Sequence, residues 1–212
     1  MEFREAIQAY AEQPITKQIL FNLLKEYKRP YDKINELVKQ GVLVTVKRGI
    51  YVTGPNQHMA KPEPFLLANH ILGPSYVSLD SALSYWGLIP ERVYEISSMT
   101  TQGSKIYKTP VGVFSYIHTP LPYYSFGIKQ LELTKKQFVL IATPEKALCD
   151  KIITTSGILL RSVRQVKELL TDDLRMEESA LRQLNVNEIN SWVIDAPKKT
   201  SLNMLIKTLK VI

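Results

Sequence analysis

Two groups of residues have the types and spacing to do chemistry. The first comprises Lys28, Arg29, Tyr31, Asp32, Lys33, Asn35, Glu36 and Lys39, followed by Lys47-Arg48 in "VKRGIY". Polar side chains on one helix face can present donors and acceptors to base edges in a major groove. A Lys-Arg pair at a hairpin tip can reach a phosphate or an adjacent minor groove. Asp32 and Glu36 would be repelled by phosphate; they would accept from cytosine N4 or point away. The second group is Glu145, Lys146 and Asp150 in "TPEKALCDKII". As a catalytic set, they could hold a metal or a proton donor and act as a nuclease. The structural reading is simpler and is the expectation: Glu145 stabilises a positive helix end, and Lys146 and Asp150 form an i,i+4 surface pair.

Other constellations are missing from the sequence. His58, His70 and His118 are far apart, and the single cysteine, Cys149, has no CxxC partner. No zinc site is expected. There is no glycine-rich phosphate or dinucleotide loop and no G-x-S-x-G elbow. The chain is therefore read as a non-enzyme with no catalytic, cofactor-binding or metal-binding residues. One cysteine allows no internal disulfide and fits a reducing cytoplasm. "MEFREAIQAYAEQ" is not a signal peptide, and no apolar run reaches the roughly 18 residues of a membrane span. A cytoplasmic protein without membrane contact is expected.

The 212 residues suit one large or two small domains. Hydrophobic content of 45% and charged content of 22% support an ordinary core. The net charge of +7 is unevenly spread: nine Lys and Arg face six Asp and Glu in residues 1–59, and eighteen face fourteen in residues 60–212. A basic excess concentrated on a small unit suggests a polyanionic partner.

The elements that must position the first group can be read from periodicity and punctuation. Residues 2–12 place Phe3, Ile7 and Tyr10 at helical spacing, with Glu2 and Glu5 in the first turn. "ITKQILFNLLKEYK" predicts a helix capped by Thr16 with Ile19, Leu20, Leu23, Leu24 and Tyr27 inward. "RPYDKINELVKQG" predicts a third, with Pro30 in its first turn, Gly41 at its C-terminal cap, and Tyr31, Ile34, Leu37 and Val38 inward. "VLVTVKRGIYV" reads as a hairpin turning at Lys47-Arg48-Gly49. Three helices and a hairpin in this order describe a winged helix-turn-helix. The proline-rich stretch 53–66 reads as a linker.

Further on, two helical pieces lie in residues 65–90, with Ser78 as a cap and Gly87 as a stop. "RVYEISSMTT", "SKIYKT", "VGVFSYIHT" and "QFVLIAT" read as strands, and Pro120–Leu133 as a loop plus a strand. Thr143-Pro144-Glu145 is a helix start, and helices are expected at 161–170, 177–184, 187–194 and 200–210. The fold class is therefore α+β: a winged helix-turn-helix DNA-binding domain over 1–56, and a larger α+β domain over 57–212 with a mainly antiparallel sheet and C-terminal helices.

These residues also resemble a family. "ITKQILFNLLKEYKRPYDKINELVKQGVLVTVKRGIYV" is similar to the N-terminal winged helix of AbiEi-type antitoxins. "YVSLDSALSYWGLIPERVYEISSMTT", "TPVGVFSYIHT" and "IATPEKALCDKI" resemble their second domain. The resemblance covers residues from about 15 to 155, and "RGIYV" and "TPEKAL.D" carry it most specifically. It implies a bacterial antitoxin of a type IV toxin–antitoxin, or abortive-infection, module. In that family the winged helix binds double-stranded DNA at the module's own promoter. The C-terminal domain counteracts a nucleotidyltransferase-like toxin without requiring a stable complex. The alternative is a one-component transcriptional regulator whose C-terminal domain binds a small ligand, with Pro120–Phe126 lining a pocket.

Overall fold

Capping and turn residues set the first elements of the chain. A computed structural model describes residues 3–55 and 59–212; part of the 53–66 linker and His58 lie outside the described residues. Helix α1 spans Phe3–Gln8, strand β1 Ile15–Thr16, helix α2 Lys17–Leu23 and helix α3 Pro30–Lys39. Strands β2 (Leu43–Lys47) and β3 (Ile50–Thr53) follow. The Thr16 hydroxyl accepts from Ile19 N at 3.3 Å and starts α2. Pro30 occupies the first turn of α3, and Gly41 ends it with φ +68°. Strand β3 pairs with both β1 and β2, making a three-stranded antiparallel sheet of order β1-β3-β2. Ile7, Ile15, Leu20, Leu24, Ile34, Leu37, Val42 and Leu43 form one apolar core.

The second half continues with helix α4 (Pro64–Ile71), strand β4 (Ser75–Val77), helix α5 (Leu79–Tyr85), and strands β5 (Glu95–Thr100), β6 (Lys105–Thr109) and β7 (Gly112–His118). Strands β8 (Ile128–Thr134) and β9 (Gln137–Ala142) complete a six-stranded sheet of order β6-β7-β5-β4-β9-β8. The sheet is mixed: three of its interfaces are antiparallel, as the mainly antiparallel expectation has it, while β5 runs parallel to β7 and β4 parallel to β9. The cause is topological. The β6–β7 hairpin docks on β5 by its second strand, leaving β6 at the edge.

Strand β4, which the sequence pattern did not reveal, pairs with β9 only at Val77–Ile141. Beyond that pair Asn69 of α4 replaces a strand: its Oδ1 accepts from Leu140 N at 2.7 Å and its Nδ2 donates to Leu140 O at 3.2 Å.

Helix α6 (Pro144–Thr154) is capped by Thr143, whose hydroxyl accepts from Lys146 N. Helices α7 (Val163–Lys167), α8 (Glu178–Leu181), α9 (Val186–Trp192) and α10 (Lys199–Leu209) follow, with π-helical winding over Glu168–Asp173 after α7. The fold is α+β, with ten α-helices among the described residues. No helix of the described residues is long and apolar enough to cross a membrane.

Candidate nucleic-acid interface

Helix α3 buries Ile34 and Leu37 and turns Asp32, Asn35, Glu36 and Lys39 outward. Asn35, at the edge of the apolar stripe in sequence, is exposed. Arg29 occupies the N-cap position without a side-chain cap; its side chain is 84% exposed, 3.7 Å from the Asp32 carboxylate. Lys33 Nζ donates to both Glu36 oxygens, at 2.9 and 3.0 Å, and Gln40 Nε2 donates to the same carboxylate. The Lys33 hydrogen bond holds the Glu36 carboxyl below its ordinary range. Lys33 and Glu36 thus largely neutralise each other. Lys28, Lys39 and Arg48 have no acidic partner within ion-pair distance among the described residues, so they carry the uncompensated charge.

Tyr31 is 55% exposed rather than part of the inner face. It stands edge-on to Phe21, with ring centroids 4.7 Å apart. Lys17, which the sequence reading passed over, lies with Nζ 4.4 Å from the Tyr31 centroid and 5.0 Å from that of Phe21. Its backbone N–H donates to Gly49 O at 2.9 Å. Lys17 therefore links the first turn of α3 to the hairpin tip. The signal was present as Lys17 and Phe21 at i,i+4, a spacing that brings two side chains together on a helix. A recess of about 430 Å³ borders this surface, lined by Tyr27, Lys28, Arg29, Asp32, Lys33 and Glu36.

The hairpin has two covered faces. Leu43 and Tyr51 pack on the helices of the N-terminal core. Val44, Val46, Ile50 and Val52 pack on the larger core of the second half. The turn is Arg48-Gly49, and Gly49 takes φ +88°. The pairing shifts register between Thr45 and Lys47, so Val46 is an extra residue and Lys47 pairs with Ile50. Such a bulge advances the alternation by one, and Lys47 joins the face turned toward the second half. Its Nζ donates to Ile71 O at 2.9 Å and lies 5.1 Å from the Tyr107 ring centroid. Of the expected tip pair, Arg48 is exposed and Lys47 is engaged elsewhere in the chain.

The second chemical group is not a surface pair. Lys146 and Asp150 are paired at 3.2 Å with both side chains 0% exposed, which corrects the expected solvated i,i+4 contact. Lys146 Nζ also donates to Tyr123 O at 2.8 Å. Tyr76 and Ser78 donate to Asp150 Oδ2 at 3.0 and 2.7 Å. Burial pushes the Asp150 carboxyl up and the Lys146 ammonium down, and each opposes the other's shift through its charge. Glu145 is turned elsewhere: its Oε1 accepts from Asn185 N. The three side chains do not converge on one point. They tie α6 to β4, to the Pro120–Phe126 segment and to the start of α9. The reason is packing: residues 145–150 of α6 are all buried, so the polar ones among them must pair internally.

His70 and His118 each bond a backbone carbonyl through Nδ1, those of Leu66 and Gln102. No group of three His, Cys, Asp or Glu suited to a metal occurs among the described residues. No protein-family model matches the chain. No curated protein matches it in sequence.

Proposed function

We propose that this chain is a cytoplasmic DNA-binding antitoxin that represses its own module's promoter. Residues 1–56 would act as a winged helix-turn-helix, with α3 in the major groove and the β2–β3 hairpin as the wing. The observation that carries the DNA-binding half is the continuous surface from Lys28 and Arg29 through Tyr31 and Lys17 to Arg48. Lys28 and Arg48, which have no acidic partner within ion-pair distance among the described residues, suit phosphate, while Asp32, Asn35 and Lys39 offer base-edge chemistry. The antitoxin half rests on the resemblance of "RGIYV" and "TPEKAL.D" to AbiEi-type antitoxins. On that reading residues 57–212 counteract a nucleotidyltransferase-like toxin.

Titration of duplex DNA from upstream of the gene tests the first half. Binding should weaken with salt by about 0.9 log unit per log unit of salt for each phosphate contact. A flat response, or no binding, would sink it. Co-expression with an adjacent nucleotidyltransferase-like gene tests the second half: relief of toxicity is expected, and persistent toxicity would exclude the antitoxin role.

One observation favours a ligand-responsive regulator as the second reading. A recess of about 360 Å³ lies between Gln13, Pro14, Thr16 and Ile19 on one side and Leu66, His70, Lys136 and Phe138 on the other. A small molecule there would touch both halves of the chain. The pocket expected at Pro120–Phe126 is a weaker basis, since Tyr123 is fully buried against Lys146. Release of DNA by a metabolite, without any effect on a toxin, would favour this reading.

A further inference from the structure

We infer that Lys47 is a positioning residue for the wing and not a phosphate ligand; this rests on the DNA-binding reading of the N-terminal unit. A lysine beside a hairpin tip is ordinarily free to meet a phosphate. Here the bulge at Val46 turns Lys47 onto the face that packs against the second half. Its ammonium sits on the carbonyl of Ile71, the last residue of α4. That end of a helix carries unpaired carbonyls and the negative end of the dipole, and a cation is favoured there. The Tyr107 ring lies beside the same ammonium, and Lys105 Nζ lies 5.2 Å from that ring. Strand β6, which carries both Tyr107 and Lys105, runs next to β2. Val44, Val46, Ile50 and Val52 make the apolar part of the same contact.

The consequence is a division of labour across one turn. Lys47 fixes the base of the hairpin to α4 and β6, and Arg48, one residue on, is left to face the duplex. The orientation of the wing relative to α3 is then set by the second half of the chain. A change at α4 or β6 would reach DNA affinity through Lys47.

The test uses the full chain with upstream duplex DNA over a salt series. Lys47→Ala should weaken binding roughly tenfold, about the effect of losing the charge-assisted hydrogen bond to Ile71 O, and Tyr107→Leu about two- to fivefold, the effect of losing the cation–π contact beside it. Their effects should not add in the double variant, because they break the same contact. Neither should change the salt slope, whereas Arg48→Ala should lower it by about 0.9. Lys47→Arg should restore binding, since a guanidinium can cap the same carbonyl. A slope lowered by Lys47→Ala together with a silent Tyr107→Leu would overturn the inference and make Lys47 a phosphate contact.

If the unaltered chain binds no DNA, the DNA-binding reading fails on its own. Amide hydrogen exchange across residues 43–53 then decides the contact itself. Faster exchange in Lys47→Ala supports the lock, and unchanged exchange overturns it.

Discussion

Lys146 and Asp150 stand 3.2 Å apart with neither side chain exposed to solvent. Removing one partner of a buried pair leaves a charge with no compensation. Asp150→Ala should therefore destabilise the fold by about 3–5 kcal/mol. The double variant Lys146→Met/Asp150→Leu should cost less than the single one, because no buried charge is left alone. Urea midpoints of the three chains check this; a double variant worse than Asp150→Ala would contradict it.

Gly127 closes the same site from above. It adopts φ +61°, and a Cβ there would lie 2.6 Å from Lys146 Cβ and 3.2 Å from Trp192. Gly127→Ala should lose about 2–4 kcal/mol from left-handed strain and overpacking together. Thermal unfolding measures it, and a neutral result would mean that the 121–127 segment shifts freely.

Stability should decline at alkaline pH. Burial first, and then the neighbouring Asp150 charge, pushes the Cys149 thiol up to about 12 from 9.0. Burial likewise raises the hydroxyls of Tyr76, Tyr116 and Tyr123 above their ordinary 10.0. The folded chain keeps these protons where the unfolded chain releases them. Their contribution is therefore complete below the unfolded values and is lost as pH rises through the folded ones. Lys146 opposes this in part, because burial lowers its value and the folded chain sheds that proton first. Each retained proton costs about 1.4 kcal/mol per pH unit across its window. Cys149→Ala should flatten the decline by about that slope, read from urea midpoints between about pH 9 and pH 11.

If α3 enters the major groove as proposed, contacts of different kinds on its surface should separate experimentally. Asn35→Ala should change which base is preferred at one position by about 1–3 kcal/mol. Lys28→Ala should weaken binding to all sequences alike. Both residues are exposed, so their stability should stay within about 0.5 kcal/mol of the unaltered chain. Binding to a panel of operator variants distinguishes the two. An Asn35→Ala profile parallel to that of Lys28→Ala would remove Asn35 from base recognition.

What the sequence determined by itself was local. The Thr16 and Thr143 caps, Pro30 in the first turn of α3, and the left-handed Gly41, Gly49 and Gly87 all appear where punctuation placed them. Their energetics depend on residues within one helical turn or one hairpin, which the chain itself supplies. The hairpin was legible as well, and more was written there than was read. "VLVTV" and "IYV" lack polar alternation, which is how strands covered on both faces appear. Tertiary structure decided the rest, because the partners come from distant segments. The three-residue β4 is held by β5, by β9 and by Asn69, whose Nδ2 donates to Ser75 O. Asp150 is buried because Tyr76 and Ser78, more than seventy positions earlier, reach it. Lys47 and Arg48 are adjacent and alike in charge, so no local rule separates them. A one-residue bulge and the free carbonyl of Ile71 send one to the interior contact and leave the other in solvent.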